Sequence, residues 1–114
     1  MEKTAKETGK KVFDEGIKAY EKGDFAKALE CFEKALKLKP DSVGALCNKG
    51  AALYSLGDCK MKMRDTYGAG DCFRKAIASY GQALKLGPKD KDALEGRRNA
   101  AQKLAEVFKQ AAQE

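Results

Sequence analysis

The sequence predicts an all-α chain of about five helices packed as antiparallel hairpins. Three observations carry this. First, Ala28-Leu-Glu-Cys-Phe-Glu-Lys-Ala-Leu-Lys-Leu-Lys-Pro40 is answered 48 residues later by Ala76-Ile-Ala-Ser-Tyr-Gly-Gln-Ala-Leu-Lys-Leu-Gly-Pro88. Second, the apolar residues of both copies fall three or four apart, the spacing of one helix face. Third, helix starters (Thr4, Ser42, Asp90) and helix stoppers (Gly23, Pro40, Gly87-Pro88) follow one another at helix-length intervals.

Thr4 with Glu7 forms a capping box, so the first helix is expected from about Ala5 to Lys22, stopping at Gly23. The second runs from about Phe25 to Lys39 and is ended by Pro40. Ser42 caps the third. Asp71 caps the fourth, expected from Cys72 to Leu86 and stopped by Gly87-Pro88. Asp90 caps a last helix through about Ala112, with Leu94, Ala101, Leu104, Ala105 and Phe108 as its expected apolar stripe.

Gly16 and the turn Gly23-Asp24 reappear as Gly50 and Gly57-Asp58, only 34 residues on, against 48 for the segment above. The second hairpin therefore holds 14 extra residues, lying within Asp58 to Asp71. Leu53, Leu56, Met63 and Tyr67 keep helical spacing across them. The expectation is a third helix lengthened to about Thr66, with Gly68-Ala69-Gly70 as the new turn. The alternative is a turn kept at Gly57-Asp58 followed by a long mobile loop, which is uncommon inside a compact domain.

A period of 34 with this pattern resembles the tetratricopeptide repeat (TPR) family. The residues that carry the resemblance are Gly16, Ala28, Phe32, Ala35 and Pro40 in one unit, and Gly50, Ala76, Tyr80, Ala83 and Pro88 in the other. Small residues let paired helices approach, and the aromatic fills the space between them. Val12 and Leu46 stand where the family has an aromatic, and Glu15 and Lys49 where it has Leu. The resemblance implies a TPR-like α-α superhelix in a single domain over 1–114. Its parts would be a repeat at about 9–42, a second with the insertion at 43–90, and a polar-faced capping helix at 91–112. Arrays usually need about three units, so a homodimer is a live expectation.

Composition narrows the function. No run approaches the ~20 apolar residues of a membrane span, and Met1-Glu2-Lys3-Thr4 opens no apolar leader, so a cytoplasmic protein with no membrane partner is expected. The net charge is +6, from 23 Lys+Arg against 17 Asp+Glu. The lysines are mixed with Glu along helix faces, without a basic run interleaved with aromatics, so no nucleic-acid partner is expected. There is no His, and Cys31, Cys47, Cys59 and Cys72 fit no zinc spacing. No cofactor, metal or nucleophile–base pair is indicated, and the chain is not expected to be an enzyme. Cys59 and Cys72 flank the insertion, where a long hairpin could bring them close.

Asp65-Thr-Tyr-Gly-Ala-Gly-Asp71 resembles the signature of ribokinase-like kinases, in which glycine amides at a helix N-terminus form an anion hole. Those kinases are large α/β proteins, and no parallel sheet is available here. A Gly-rich turn followed by an Asp cap is the reading carried forward, with a weak anion site at Gly68 to Asp71 as its rival.

By resemblance, the chain is a protein–protein interaction module, a co-chaperone-like adaptor holding a peptide or helical segment of a partner. The concave groove would be lined by Lys10, Phe13, Ile17 and Tyr20 of the first helix. The third would add Cys47, Asn48, Ala51 and Ser55, and the last Arg98, Asn99 and Gln102. Asn48 can donate and accept together, which suits an extended backbone. A family subclass clamps chaperone C-terminal carboxylates with Lys and Asn on the first helix, Asn on the third, and Lys and Arg on the fifth. Only Asn48 matches, since Phe13, Ile17, Asp92 and Gly96 occupy the other places, so a chaperone tail is not expected. The alternative function is a self-associating scaffold that uses Met61, Met63, Arg64 and Tyr67 as a second contact surface.

Overall fold

The computed structural model describes residues 4–114. Met1, Glu2 and Lys3, read above for a leader, lie outside the described residues. Five helices follow in order: α1 (Ala5–Glu21), α2 (Phe25–Leu38), α3 (Val43–Lys62), α4 (Thr66–Leu86) and α5 (Lys91–Ala112), with no strand among the described residues. Each begins on a side-chain cap that accepts an otherwise orphaned amide: Thr4 from Glu7, Asp24 from Lys27, Ser42 from Ala45, Asp65 from Gly68 and Asp90 from Ala93. Sequential helices pack on one another, and α3 also touches α5.

Aromatic rings set against glycines hold the hairpins together. Phe32 of α2 lies over Gly16 of α1, where an added Cβ would meet the ring at 2.7 Å. Tyr80 of α4 is held between Gly50 of α3 and Gly96 of α5, both too near its ring to carry a side chain. A third pair, absent from the first hairpin, sets Phe73 against Gly57 at 2.7 Å.

The insertion is built differently from the expected long third helix with a Gly-Ala-Gly turn. The turn sits at Met63-Arg64, and both helices lengthen toward it. Relative to the first hairpin, α3 ends seven residues late and α4 starts seven residues early. Seven residues are close to two turns at 3.6 per turn, so each extension keeps its buried face in register. That is why Gly57 and Phe73, each seven residues from Gly50 and Tyr80, repeat the same wedge.

Gly68, Ala69 and Gly70 lie inside α4 rather than in a turn, and Asp65, not Asp71, caps the helix. Ala69 and Phe73 pack with Val107, flanked by Tyr54, Met61 and Leu104, so the second half of α5 covers the extension.

Both turns use the same hydrogen bonds. The amides of Gly23 and Asp24 donate to the carbonyls of Tyr20 and Ala19, and those of Arg64 and Asp65 donate to Met61 and Lys60. The left-handed position is Gly23 at φ 82° in the first and Arg64 at φ 62° in the second. A side chain there costs roughly 1 kcal/mol that glycine avoids. Arg64→Gly should therefore raise the urea midpoint by the equivalent of about 1 kcal/mol; a lowered midpoint would contradict the turn geometry.

The expected stripe of α5 is also corrected. The buried positions are Ala93, Ala100 and Val107, with Gly96 against Tyr80, whereas Leu94, Ala101, Ala105 and Phe108 face outward and Leu104 is half-buried. The close approach to Tyr80 needs small residues, so the inward face is the less apolar one. Phe108, 56% exposed, instead lies under the Arg74 guanidinium at 5.9 Å.

Candidate binding groove

One face of the molecule is made by α1, α3 and α5. Two adjoining cavities open there, sharing Tyr20 and Ala51. The first, about 270 Å³, is lined by Ile17, Tyr20, Glu21, Phe32, Asn48 and Ala51. The second, about 210 Å³, is lined by Tyr20, Ala51, Tyr54, Tyr80, Gly96 and Asn99. The floor is fixed by packing. The Tyr20 ring meets Phe25 edge-on at 5.1 Å, and its hydroxyl shares a 3.2 Å hydrogen bond with Ser55 Oγ. Tyr54 meets Phe73 edge-on at 5.5 Å, which ties the groove to the core of the extension.

Burial raises the Tyr80 phenol well above the usual tyrosine range, and burial likewise raises Tyr54. Both rings therefore stay neutral hydrogen-bonding groups at physiological pH.

Of the expected groove residues, Ile17, Tyr20, Asn48, Ala51 and Asn99 come together here. Lys10 and Phe13 do not join them. They line a separate cavity of about 530 Å³ between the start of α1, the end of α2 and the start of α3, with Lys6, Leu38, Lys39 and Ala45. Phe13 also spends one ring edge on Phe32, at 5.7 Å. Arg98 and Gln102 are exposed and line neither groove cavity.

Cys47 leaves the groove altogether. Its thiol reaches toward Asp90 Oδ1 at 3.9 Å, and burial, with Asp90 and Asp92 alongside, pushes it up to about 11. Sequence reasoning missed Tyr54 and Tyr80 as groove residues. Tyr80 was visible only as an inter-helix wedge, and the signal that it also reaches the surface is Gly96, a small residue in the middle of a helix.

At the hairpin tip, Met63 (71% exposed), Arg64 and Tyr67 (86% exposed) are open to solvent, whereas Met61 turns inward against Ala69, Phe73 and Val107. The kinase-like heptapeptide holds no anion hole. The Gly68 amide is taken by Asp65 Oδ1 at 2.9 Å and the Ala69 amide by the Asp65 carbonyl at 2.9 Å, and the cap itself is an anion. All four cysteines are free, Cys59 exposed and Cys72 buried. Among the described residues no cluster of three or more His, Cys, Asp or Glu could hold a metal ion, and no helix is long and apolar enough to cross a membrane.

The chain is similar in sequence to tetratricopeptide-repeat proteins. The family described as "TPR repeat" matches residues 18–57. Tetratricopeptide repeat protein 36 of Xenopus tropicalis is 33% identical over 103 residues, covering 84% of this chain and 51% of the relative. The chain thus spans about half the length of the curated relative it matches.

Similar solved structures include the Arabidopsis OM64 TPR domain, at 21% identity and TM-score 0.47, covering 85% of this chain and 97% of that one. The first TPR domain of human RPAP3 is 19% identical at TM-score 0.42, covering 89% of this chain and 95% of that one. The first TPR of Spaghetti (RPAP3), bound to the HSP90 peptide SRMEEVD, is 20% identical at TM-score 0.40, covering 85% of this chain and 93% of that one.

Proposed function

We propose that this chain, a tetratricopeptide-repeat domain and so one of a fold that mediates protein–protein interaction, holds a peptide segment of a partner protein in the groove of α1, α3 and α5. The observation that carries the reading is the pair of joined cavities. Apolar walls from Ile17, Phe32 and Ala51 exclude water from a ligand, while Asn48 and Asn99 line the same cavities with amides that both donate and accept. No step of chemistry is asked of these residues, only shape and hydrogen bonding.

A chaperone C-terminal tail is not the ligand this groove favours. Phe13 and Ile17 on α1 and Gly96 on α5 supply no cation at the clamp positions, and Asp92 would repel a carboxylate.

The test selects dodecapeptides from a random display library on the immobilised protein and measures the best binder by calorimetry. Asn48→Ala with Asn99→Ala removes two cavity-lining amides, one half-buried and one exposed, and leaves the buried core residues in place, and Ala favours the helix. Affinity should fall about tenfold or more, at roughly 0.5–1.5 kcal/mol per hydrogen bond lost. Unchanged affinity would contradict the groove, as would SRMEEVD binding as tightly as the selected peptide.

A further inference from the structure

We infer that the outer face of α5 pairs with the same face of a second copy of this chain, the two helices running antiparallel. α5 has two unlike faces. Ala93, Ala100 and Val107 are buried, with Gly96 against Tyr80. The outer face carries Leu94, Arg98, Ala101, Ala105, Phe108 and Ala112, all exposed, at alternating steps of four and three residues. That alternation is the seam of a coiled coil. Leu94 is 39% exposed and Phe108 56% exposed, large apolar residues toward the two ends of the seam.

Charge decides what covers this face. Along one flank of the seam, Glu95, Gln102 and Lys109 follow at intervals of seven. Glu95 and Lys109 are exposed, and neither belongs to an ion pair among the described residues. On one helix they stand about 21 Å apart at 1.5 Å per residue, too far to meet each other. In an antiparallel pair centred on Gln102, Glu95 of each copy meets Lys109 of the other. The same register sets Ala101 against Ala105 of the second copy, where short side chains let the helices approach. It also places the Arg98 guanidinium on the ring of Phe108 of the second copy. Sliding the pair by one heptad either way parts Glu95 from Lys109 and Arg98 from Phe108 together. A parallel pair would instead oppose Arg98 to Arg98 of the second copy inside the seam. A face complementary to itself is what a two-fold interface requires. Asn99 stands two residues from Ala101, about 200° round the helix, so the pairing leaves the candidate groove open and does not depend on it.

Sedimentation equilibrium at low salt, from micromolar to millimolar chain, tests the pairing. The wild-type mass should rise from 12.4 kDa toward twice that value. Glu95→Lys and Lys109→Glu each turn both attractions of the dimer into repulsions, so each variant alone should associate about tenfold more weakly. Mixed in equal amounts, the two variants carry opposite charges along the flank and should associate as tightly as the wild type. The double variant Glu95→Lys with Lys109→Glu should recover likewise. Ala101→Glu, at an exposed helical position, should keep the helix content and stay monomeric. A wild type that remains monomeric throughout would overturn the inference and leave this face to a helix of another protein. An Ala101→Glu dimer as tight as the wild type, or a mixture no tighter than its separate components, would equally overturn it.

Discussion

Phe73→Ala should destabilise the protein by about 3–5 kcal/mol, the cost of emptying a fully buried phenylalanine site. Phe73 is 0% exposed and lies directly after the inserted residues, at the base of the extension, between Gly57, Tyr54, Ala69 and Val107. An insertion attached as a solvent-exposed arm would tolerate the change. An insertion that continues the core cannot, and for a domain whose whole stability is about 5–15 kcal/mol the loss is a large fraction. Urea unfolding followed by circular dichroism reads it directly. A loss under about 1 kcal/mol would mean that α5 does not pack on the extension.

Gly96→Val is the second large effect, and it joins stability to binding. Any Cβ on Gly96 collides with the Tyr80 ring, and a β-branched side chain must push either that ring or α5 aside. Overpacking of this kind costs about 1–3 kcal/mol. It also displaces the residue that floors the 210 Å³ cavity, so peptide affinity should be lost together with stability. Gly81→Ala provides the contrast, since nothing lies within 4 Å of a Cβ at that position of α4. It should be neutral or stabilising by about 0.5–1 kcal/mol, because glycine in a helix interior costs that much. Equal effects of the two substitutions on denaturation and on peptide binding would remove Gly96 from the account.

The sequence was most legible where a small residue faces an aromatic. Gly16 with Phe32 and Gly50 with Tyr80 were visible as repeated positions, and they prove to be the contacts that set each hairpin. The helix caps at Thr4, Ser42 and Asp90 were equally plain, because the side chain that stops the preceding coil also satisfies the first free amides.

The insertion misled for a physical reason. Gly68-Ala69-Gly70 has the composition of a turn, but glycine costs a helix only about 1 kcal/mol per residue. Burial of Ala69 and Gly70 against Val107 and Leu104 offsets that penalty. The real turn at Arg64 carries no glycine and so gave no signal.

The face of α5 was misread by the same logic reversed. Leu94 and Phe108 are the conspicuous apolar residues, yet close approach to Tyr80 demands Ala93, Gly96 and Ala100. Within the candidate groove, Ile17, Tyr20, Asn48, Ala51 and Asn99 were named through the family resemblance laid over the helical register, and the structure sets them around the two cavities. Tyr54 and Tyr80 did not, because their place depends on which rings the glycines leave room for.

The most direct test of the account is an isotope-filtered NMR experiment on the wild-type protein with the display-selected peptide bound. Contacts from the peptide should fall on the methyls of Ile17 and Ala51 and on the rings of Tyr20, Tyr54 and Tyr80, which together line the two joined cavities. Contacts confined to the opposite surface at Ala78, Gln82 and Arg97, or to Met63 and Tyr67 at the hairpin tip, would contradict it.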